Sequence, residues 1–395
     1  MILKLNTKKI SLMLLGMWCA FSYIQVMYLY DCVSWYRPIF WGSRIVLIIF
    51  VWIFYFIKKH YKELDLLLVI GLGIFSFIFL VNTIYNGGKI LSCAIFLLSL
   101  ISIIAFFDLL DGNDLQYCIR GMMLFLWVLL FVQIISIYLK PEGLYNYQIG
   151  RKYYFLGHVN YSGKVLVWGV AFQAFLEKHK KKSLIKTFIY WLLSLIVVGV
   201  SRSYISIVGI ALLGVLLFCG RRIKISSKWI IFGNVIIILL LKIIHFFINN
   251  LQHLEMALSK IGRMLSLTIR FSIFEQGLRM ALKRVNGYGY IDDYSKYIWY
   301  GNYFPSSAHN LNIDILISVG VFGLLAFYVY IFALVKNSEN NIIAYPILCT
   351  ALVSVFMWNF EPYLSPAVFL LTNSGFVILY NVKNKIDPHT NCSIN

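Results

Sequence analysis

Twelve apolar runs divide this chain, at 10–30, 39–57, 64–82, 90–107, 119–139, 162–176, 184–200, 203–219, 229–248, 311–335, 342–358 and 364–381. A helix needs about 20 apolar residues to cross the hydrocarbon core of a bilayer. The pattern therefore predicts an all-α polytopic membrane protein with about twelve transmembrane helices. The 395 residues are 61% hydrophobic and 13% charged, against about 25% charged in soluble domains. That composition excludes a water-soluble enzyme, a disordered chain and a disulfide scaffold. The seven cysteines have no CxxC spacing and read as small apolar residues rather than a metal site. The first run is too long for a signal-peptide core and no small-residue cleavage site follows it, so it is expected to stay as the first span.

The formal net charge is +19, from 35 Lys and Arg against 16 Asp and Glu. In a soluble protein this would suggest nucleic acid. Here the positive-inside rule offers a topological home for it, and no nucleic-acid partner is expected. With the N-terminus inside, 19 of the 35 basic residues fall in cytoplasmic segments, and only Arg120, Arg221 and Arg222 among them are arginine. Twelve spans then place the C-terminus inside as well. The outer set contains Arg37, Arg44, Arg151, Arg202, Arg263, Arg270, Arg279 and Arg284. Lysine suffices to orient a membrane protein, whereas arginine is the better planar, bidentate donor to phosphate. The outer face thus reads as one equipped to hold an anion.

Two outer segments are long enough to build a site. The segment 140–162 offers Arg151, His158 and Asn160. The segment 249–308 carries an apolar stripe, Leu254, Leu258, Ile261, Leu265, Ile269, Ile273 and Leu278, interleaved with Arg263, Arg270, Glu275 and Arg279. Its period predicts amphipathic helices at the outer membrane surface, where the cations either snorkel to lipid headgroups or bind a ligand. An Asn286-Gly287-Tyr288-Gly289-Tyr290 turn signal follows, then a Tyr-rich stretch to 304, readable as a sugar-stacking surface or an interfacial aromatic belt. His309 and Asn310 stand at the mouth of the next run. A histidine there is either structural or a general base, since imidazole titrates near neutral pH. Asp292-Asp293 reads as a solvated turn, and the chain has no phosphate-binding GxxxxGK[ST] loop.

The order of these pieces resembles the O-antigen polymerase and O-antigen ligase superfamily, with which the capsular polysaccharide polymerases of Gram-positive bacteria belong. The elements carrying the resemblance are Gly157-His158-Val159-Asn160, Ser201-Arg202-Ser203 opening a run, and Arg270 in Arg-Phe-Ser-Ile-Phe-Glu. Gly287 and Gly289, His309-Asn310 and Gly320-Val-Phe-Gly323 complete it. It spans roughly residues 150 to 335 and divides the chain into N-terminal transmembrane helices (1–139), a core (140–335), C-terminal transmembrane helices (336–381) and a cytoplasmic tail (382–395). The family's arginine with a glycine sixteen residues on is approximated here, at seventeen for Arg270 and Gly287 and eighteen for Arg151 and Gly169.

The resemblance implies a GT-C-like multi-spanning glycosyltransferase of the bacterial plasma membrane, acting at the outer face without metal, nucleotide sugar or cofactor. It implies His309 as base and Arg202, Arg270, Arg151 and Arg279 as ligands of a polyprenyl diphosphate. Asn310, Tyr288, Tyr290 and His158 would hold the acceptor sugar. The implied function is polymerisation of polyprenyl-diphosphate-linked repeat units into capsular or other surface polysaccharide. Donor and acceptor are both lipid-linked, and a flippase and chain-length regulators are expected partners in the lipid bilayer. The alternatives are an O-antigen-type ligase and a flippase or transporter of lipid-linked oligosaccharide. Transporters place ionisable groups within spans near the midplane, whereas Arg202, Arg270 and His309 gather at one face.

Overall fold

The structure, a computed structural model, describes residues 7–58, 65–145, 152–179, 183–219, 225–226, 228–233, 264–291, 307–336, 338, 341, 343–360 and 366–385. Helices in chain order are α1 (Thr7–Tyr23), α2 (Met27–Cys32), α3 (Tyr36–Lys58), α4 (Leu66–Tyr85), α5 (Ile90–Asp108), α6 (Gly112–Leu139), α7 (Val159–His179), α8 (Ile185–Val200) and α9 (Tyr204–Phe218). They continue with α10 (Met264–Lys283), α11 (Leu311–Val335), α12 (Tyr345–Trp358) and α13 (Pro366–Lys385). Helix fills eleven of the twelve apolar runs, and most of the remaining one, 229–248, lies outside the described residues. By length and composition α3, α4, α5, α6 and α11 can each cross a membrane, while α8, α9, α12 and Phe369–Val382 are apolar but shorter.

Two expectations need amendment. The run 10–30 is not one helix: α1 stops at Tyr23, extended backbone at Val26 follows, and the Val26 amide donates to the Tyr36 hydroxyl before α2 begins. The chain is also not wholly α-helical. Tyr153–Tyr154 (β1) pairs antiparallel with Gly157–His158 (β2), a hairpin too short to leave a period in the sequence.

Contacts at the helix ends sort the bundle into two ends. One end holds Lys8 against Asp114 at 2.9 Å and Lys336 against Asp65 at 2.5 Å. There Glu177, on α7, accepts from the amides of Lys186 and Thr187 and so caps the N-terminus of α8. The other end, called the site end below, carries α2, the β-hairpin, the α8–α9 turn, both ends of the α10–α11 connection and the C-terminal end of α12.

One helix is broken. α11 runs from Leu311 to Val335, but Gly320 has φ 69° and ψ −170°. An interruption inside a membrane needs new partners for the freed backbone groups. Those partners come from the segment after α10: Tyr288 N donates to Ile317 O (2.7 Å), Gly289 N to Ser318 O (2.8 Å), and Val321 N to Val285 O (3.1 Å). Side chains have no room there, because a Cβ on Gly287 would meet Ser318 O at 2.5 Å and one on Gly320 would meet Val285 O at 2.1 Å. The Asn-Gly-Tyr-Gly-Tyr segment is thus a splint for the break. α10 packs beside it through Ile273, Met280 and Ala281 against Ala308 and Ile317, a small core separate from that of the main bundle.

Candidate functional site

Among the described residues, the non-glycine residues with positive φ are Arg202 (57°) and His309 (54°). A left-handed conformation costs a side-chain-bearing residue about 1–3 kcal/mol and persists only where its surroundings enforce it. Both positions are enforced by identifiable hydrogen bonds.

Arg202 ends α8 in a Schellman motif. Its amide donates to Gly199 O and that of Ser203 to Val198 O, each at 3.0 Å, which satisfies two terminal carbonyls. Glycine is the ordinary occupant of that left-handed position, and here it is arginine. The side chain is exposed and has no ion-pair or hydrogen-bond partner among the described residues. Ser203 then starts α9 and donates its hydroxyl to Asn160 Oδ1 at 2.8 Å, tying the turn to the first turn of α7.

His309 precedes the N-cap of α11. Asn310 caps that helix, its Oδ1 accepting from Asn312 N (3.0 Å) and Ile313 N (3.2 Å). On the other side, Asp314 Oδ1 accepts the Ala308 amide at 2.7 Å, and His309 N donates to Ser307 Oγ at 3.1 Å. The half-buried imidazole is therefore held between a helix cap and a carboxylate that reaches back from the helix's first turn.

The Arg202 turn rests on α7, and the His309 turn on α12. Asn160 and Lys164 lie four residues apart, on one helix face. Asn160 contacts the Arg202 turn, whereas Lys164 is only 4% exposed, and Asp314 of α11 is fully buried. A third strand of the network comes from α12. Asn310 Nδ2 donates to Asn359 O and Oδ1, and Asn312 Nδ2 to Asn359 Oδ1, all at 3.3 Å. Tyr328 donates its hydroxyl to Asn312 Oδ1 at 2.7 Å. One residue further on, Phe360 O accepts from Arg270 Nη1. A guanidinium has five N–H donors, and this bond fixes that of Arg270 at the C-terminal end of α12. The His309–Asn310 turn and Arg270 are accordingly linked through α12, and the Arg202 turn, tied to α7, lies at the same end of the bundle.

The other sequence-predicted residues are placed differently. Arg279 lies on the exposed face of α10, paired with Glu275 at 2.6 Å. Tyr288 donates to Met280 O at 3.4 Å and lies under the Arg284 guanidinium, while Tyr290 packs on Phe79 and its amide donates to the Thr83 hydroxyl. Both tyrosines thus belong to the splint along α4 and α11. His158 closes the hairpin against Tyr153, and its Nδ1 accepts from Asn160 N at 3.4 Å, next to the Arg202 side of the network. Arg151 and the Tyr-rich stretch 294–304 lie outside the described residues. Sequence reasoning missed Lys164 and the role of Asp314. A lone charge inside an apolar run is the available signal, since an ionisable residue within a span carries a large desolvation cost.

Residues 188–328 match the O-antigen ligase family. No curated protein matches the chain significantly. The matched segment begins in α8 and ends within α11, so it contains Arg202, Arg270, His309, Asn310, Asp314 and the splinted break, while α7 and the end of α12 complete the network from outside it. The match over residues 188–328 of this integral membrane protein supports the O-antigen polymerase and ligase superfamily.

Proposed function

We propose that the protein polymerises polyprenyl-diphosphate-linked oligosaccharide repeat units at the outer face of the bacterial plasma membrane, in capsular or other surface polysaccharide synthesis, with both termini cytoplasmic and about twelve spans of GT-C-like type. The single observation that carries this reading is the pair of strained turns bearing Arg202 and His309 at one end of the bundle, the second of them joined to Arg270 through α12. Strain of this kind collects at sites where a side chain must be aimed.

The chemistry requires an anionic leaving group to be held and an acceptor hydroxyl to lose its proton. In the proposed step the acceptor oxygen bonds the donor's anomeric carbon as the bond from that carbon to the diphosphate oxygen breaks. The electron pair leaves with the diphosphate and the hydroxyl proton passes to the His309 imidazole. Arg202 and Arg270 stabilise the developing charge as charge-assisted donors, and Asn310, through its cap on α11, holds the backbone beside His309. The leaving group departs as an anion, so these residues need no general acid. Flippase and chain-length regulator are the proposed partners.

The matched family's description favours a second reading, a ligase that transfers finished glycan to another acceptor. A transporter reading has Lys164 and Asp314 in its favour, as ionisable groups within helices. Both, however, sit within the first two turns of α7 and α11, toward the end that carries the Arg202 and His309 turns.

Replacing His309 or Arg270 with Ala in cells tests the assignment. Single lipid-linked repeat units should accumulate on the outer leaflet while polymer disappears. Units trapped on the cytoplasmic leaflet would instead indicate transport, and unchanged polymer would remove both residues from the mechanism.

A further inference from the structure

α10 presents a cation near each end. Arg270 lies in its second turn and Lys283 thirteen residues later, so the two are separated by about 20 Å of helix. Arg270 joins the network already described. Lys283 and its neighbour Arg284 line a separate cleft of about 520 Å³ with Val81, Asn82, Tyr85 and Asn286, between the end of α4 and the splint.

This cleft has an ordered cationic wall. Arg284 donates to Asn86 Oδ1 and its guanidinium lies 5.1 Å from the Tyr288 ring centroid, while Asn82 donates to Asn286 O. Lys283 is exposed and has no ion-pair partner among the described residues, and no carboxylate is among the cleft's lining residues. Two cations with no counter-ion among the described residues, beside amide groups, suit a phosphate-bearing ligand. The surface below the cleft is apolar: Val81, Phe77 and Ile74 follow one another down one face of α4, each at least 40% exposed. Such a site takes a lipid with a phosphate headgroup at the membrane surface and its chain along α4.

Building on the polymerase reading, we propose that this cleft holds the diphosphate of the acceptor lipid. In that reaction both substrates carry a polyprenyl diphosphate, but only the donor's is adjacent to the bond that breaks. The acceptor attacks through a hydroxyl of its far sugar, so its own diphosphate must be held one oligosaccharide length from His309 and Arg270. A cationic cleft at the opposite end of α10 meets that requirement. A ligase with a protein acceptor has no need of it.

The test titrates the purified full-length chain in detergent with undecaprenyl diphosphate lacking any sugar. The wild type should bind two equivalents. Lys283→Glu should bind one with the remaining affinity unchanged, Lys283→Arg should restore the second, and Arg270→Ala should weaken the other equivalent at least tenfold. Two unaltered equivalents in Lys283→Glu, or a single one in the wild type, would overturn the cleft assignment and leave the transfer site standing. Displacement of the second equivalent by phosphatidylglycerol as readily as by the diphosphate lipid would also overturn it, marking a general lipid contact. Loss of one equivalent in Lys283→Glu with both retained in Arg270→Ala would uphold the cleft and overturn the transfer site.

Discussion

Asp314 accepts the amide of Ala308 at 2.7 Å, so a carboxylate in the first turn of α11 fixes the backbone two residues before that helix's own N-cap. His309 lies between them and can take its left-handed conformation because both neighbours are held. Asp314→Ala removes that acceptor. Losing a buried hydrogen bond of this kind costs about 1–3 kcal/mol, and we expect polymer yield to fall at least tenfold at equal protein level in the membrane. Asp314→Asn keeps an acceptor for Ala308 and should retain more activity than the alanine variant. Quantified glycan against immunoblotted protein reads the difference, and equal yields would remove Asp314 from any positioning role.

Arg202 separates stability from activity. Glycine adopts the Schellman position without strain, so Arg202→Gly should melt at the same temperature as the wild type or higher. Its transfer rate should fall by about 10²–10³, the scale of a lost oxyanion donor. Arg202→Lys keeps the charge without the planar fork and should fall between. A glycine variant with normal turnover would make Arg202 a turn residue only.

Arg279 is the internal contrast to Arg270. Its partner Glu275 is exposed, and exposed ion pairs contribute about 0–1 kcal/mol. Arg279→Ala should therefore keep polymer yield within about twofold while Arg270→Ala abolishes it. Equal losses would mean that α10 acts through its overall charge rather than through the contact with Phe360.

The splint makes a structural prediction. Gly320→Ala would place a Cβ 2.1 Å from Val285 O at a residue with φ 69°, combining overlap with backbone strain. We expect a lower melting temperature and reduced levels in the membrane, by a larger margin than for Gly73→Ala, where the added Cβ meets nothing within 4 Å. Thermal aggregation of the two variants in detergent compares them directly.

The helices were legible because the bilayer imposes one length and one composition on every span, and runs such as 90–107 and 311–335 coincide with α5 and α11 almost to the residue. The break at Gly320 was not, because apolar residues continue on both sides and the partners that compensate it lie some 30 residues upstream. The tyrosines of that segment were read for their rings, while its contribution to the structure is made by the backbone amides of Tyr288, Gly289 and Tyr290. Arg202, His309 and Asn310 were legible as polar groups at the ends of apolar runs. Lys164 falls among the outer cations by its place in the chain, and its burial within α7 leaves no mark in a one-dimensional pattern.

The most direct test reconstitutes the purified protein in liposomes with a lipid-diphosphate-linked repeat unit from its host and follows product length together with released polyprenyl diphosphate. The account predicts polymer formation with one diphosphate released per linkage, and loss of both products in His309→Ala and Arg270→Ala. Diphosphate release with normal polymer in either variant, or movement of the intact lipid-linked unit across the bilayer without new linkages, would contradict it.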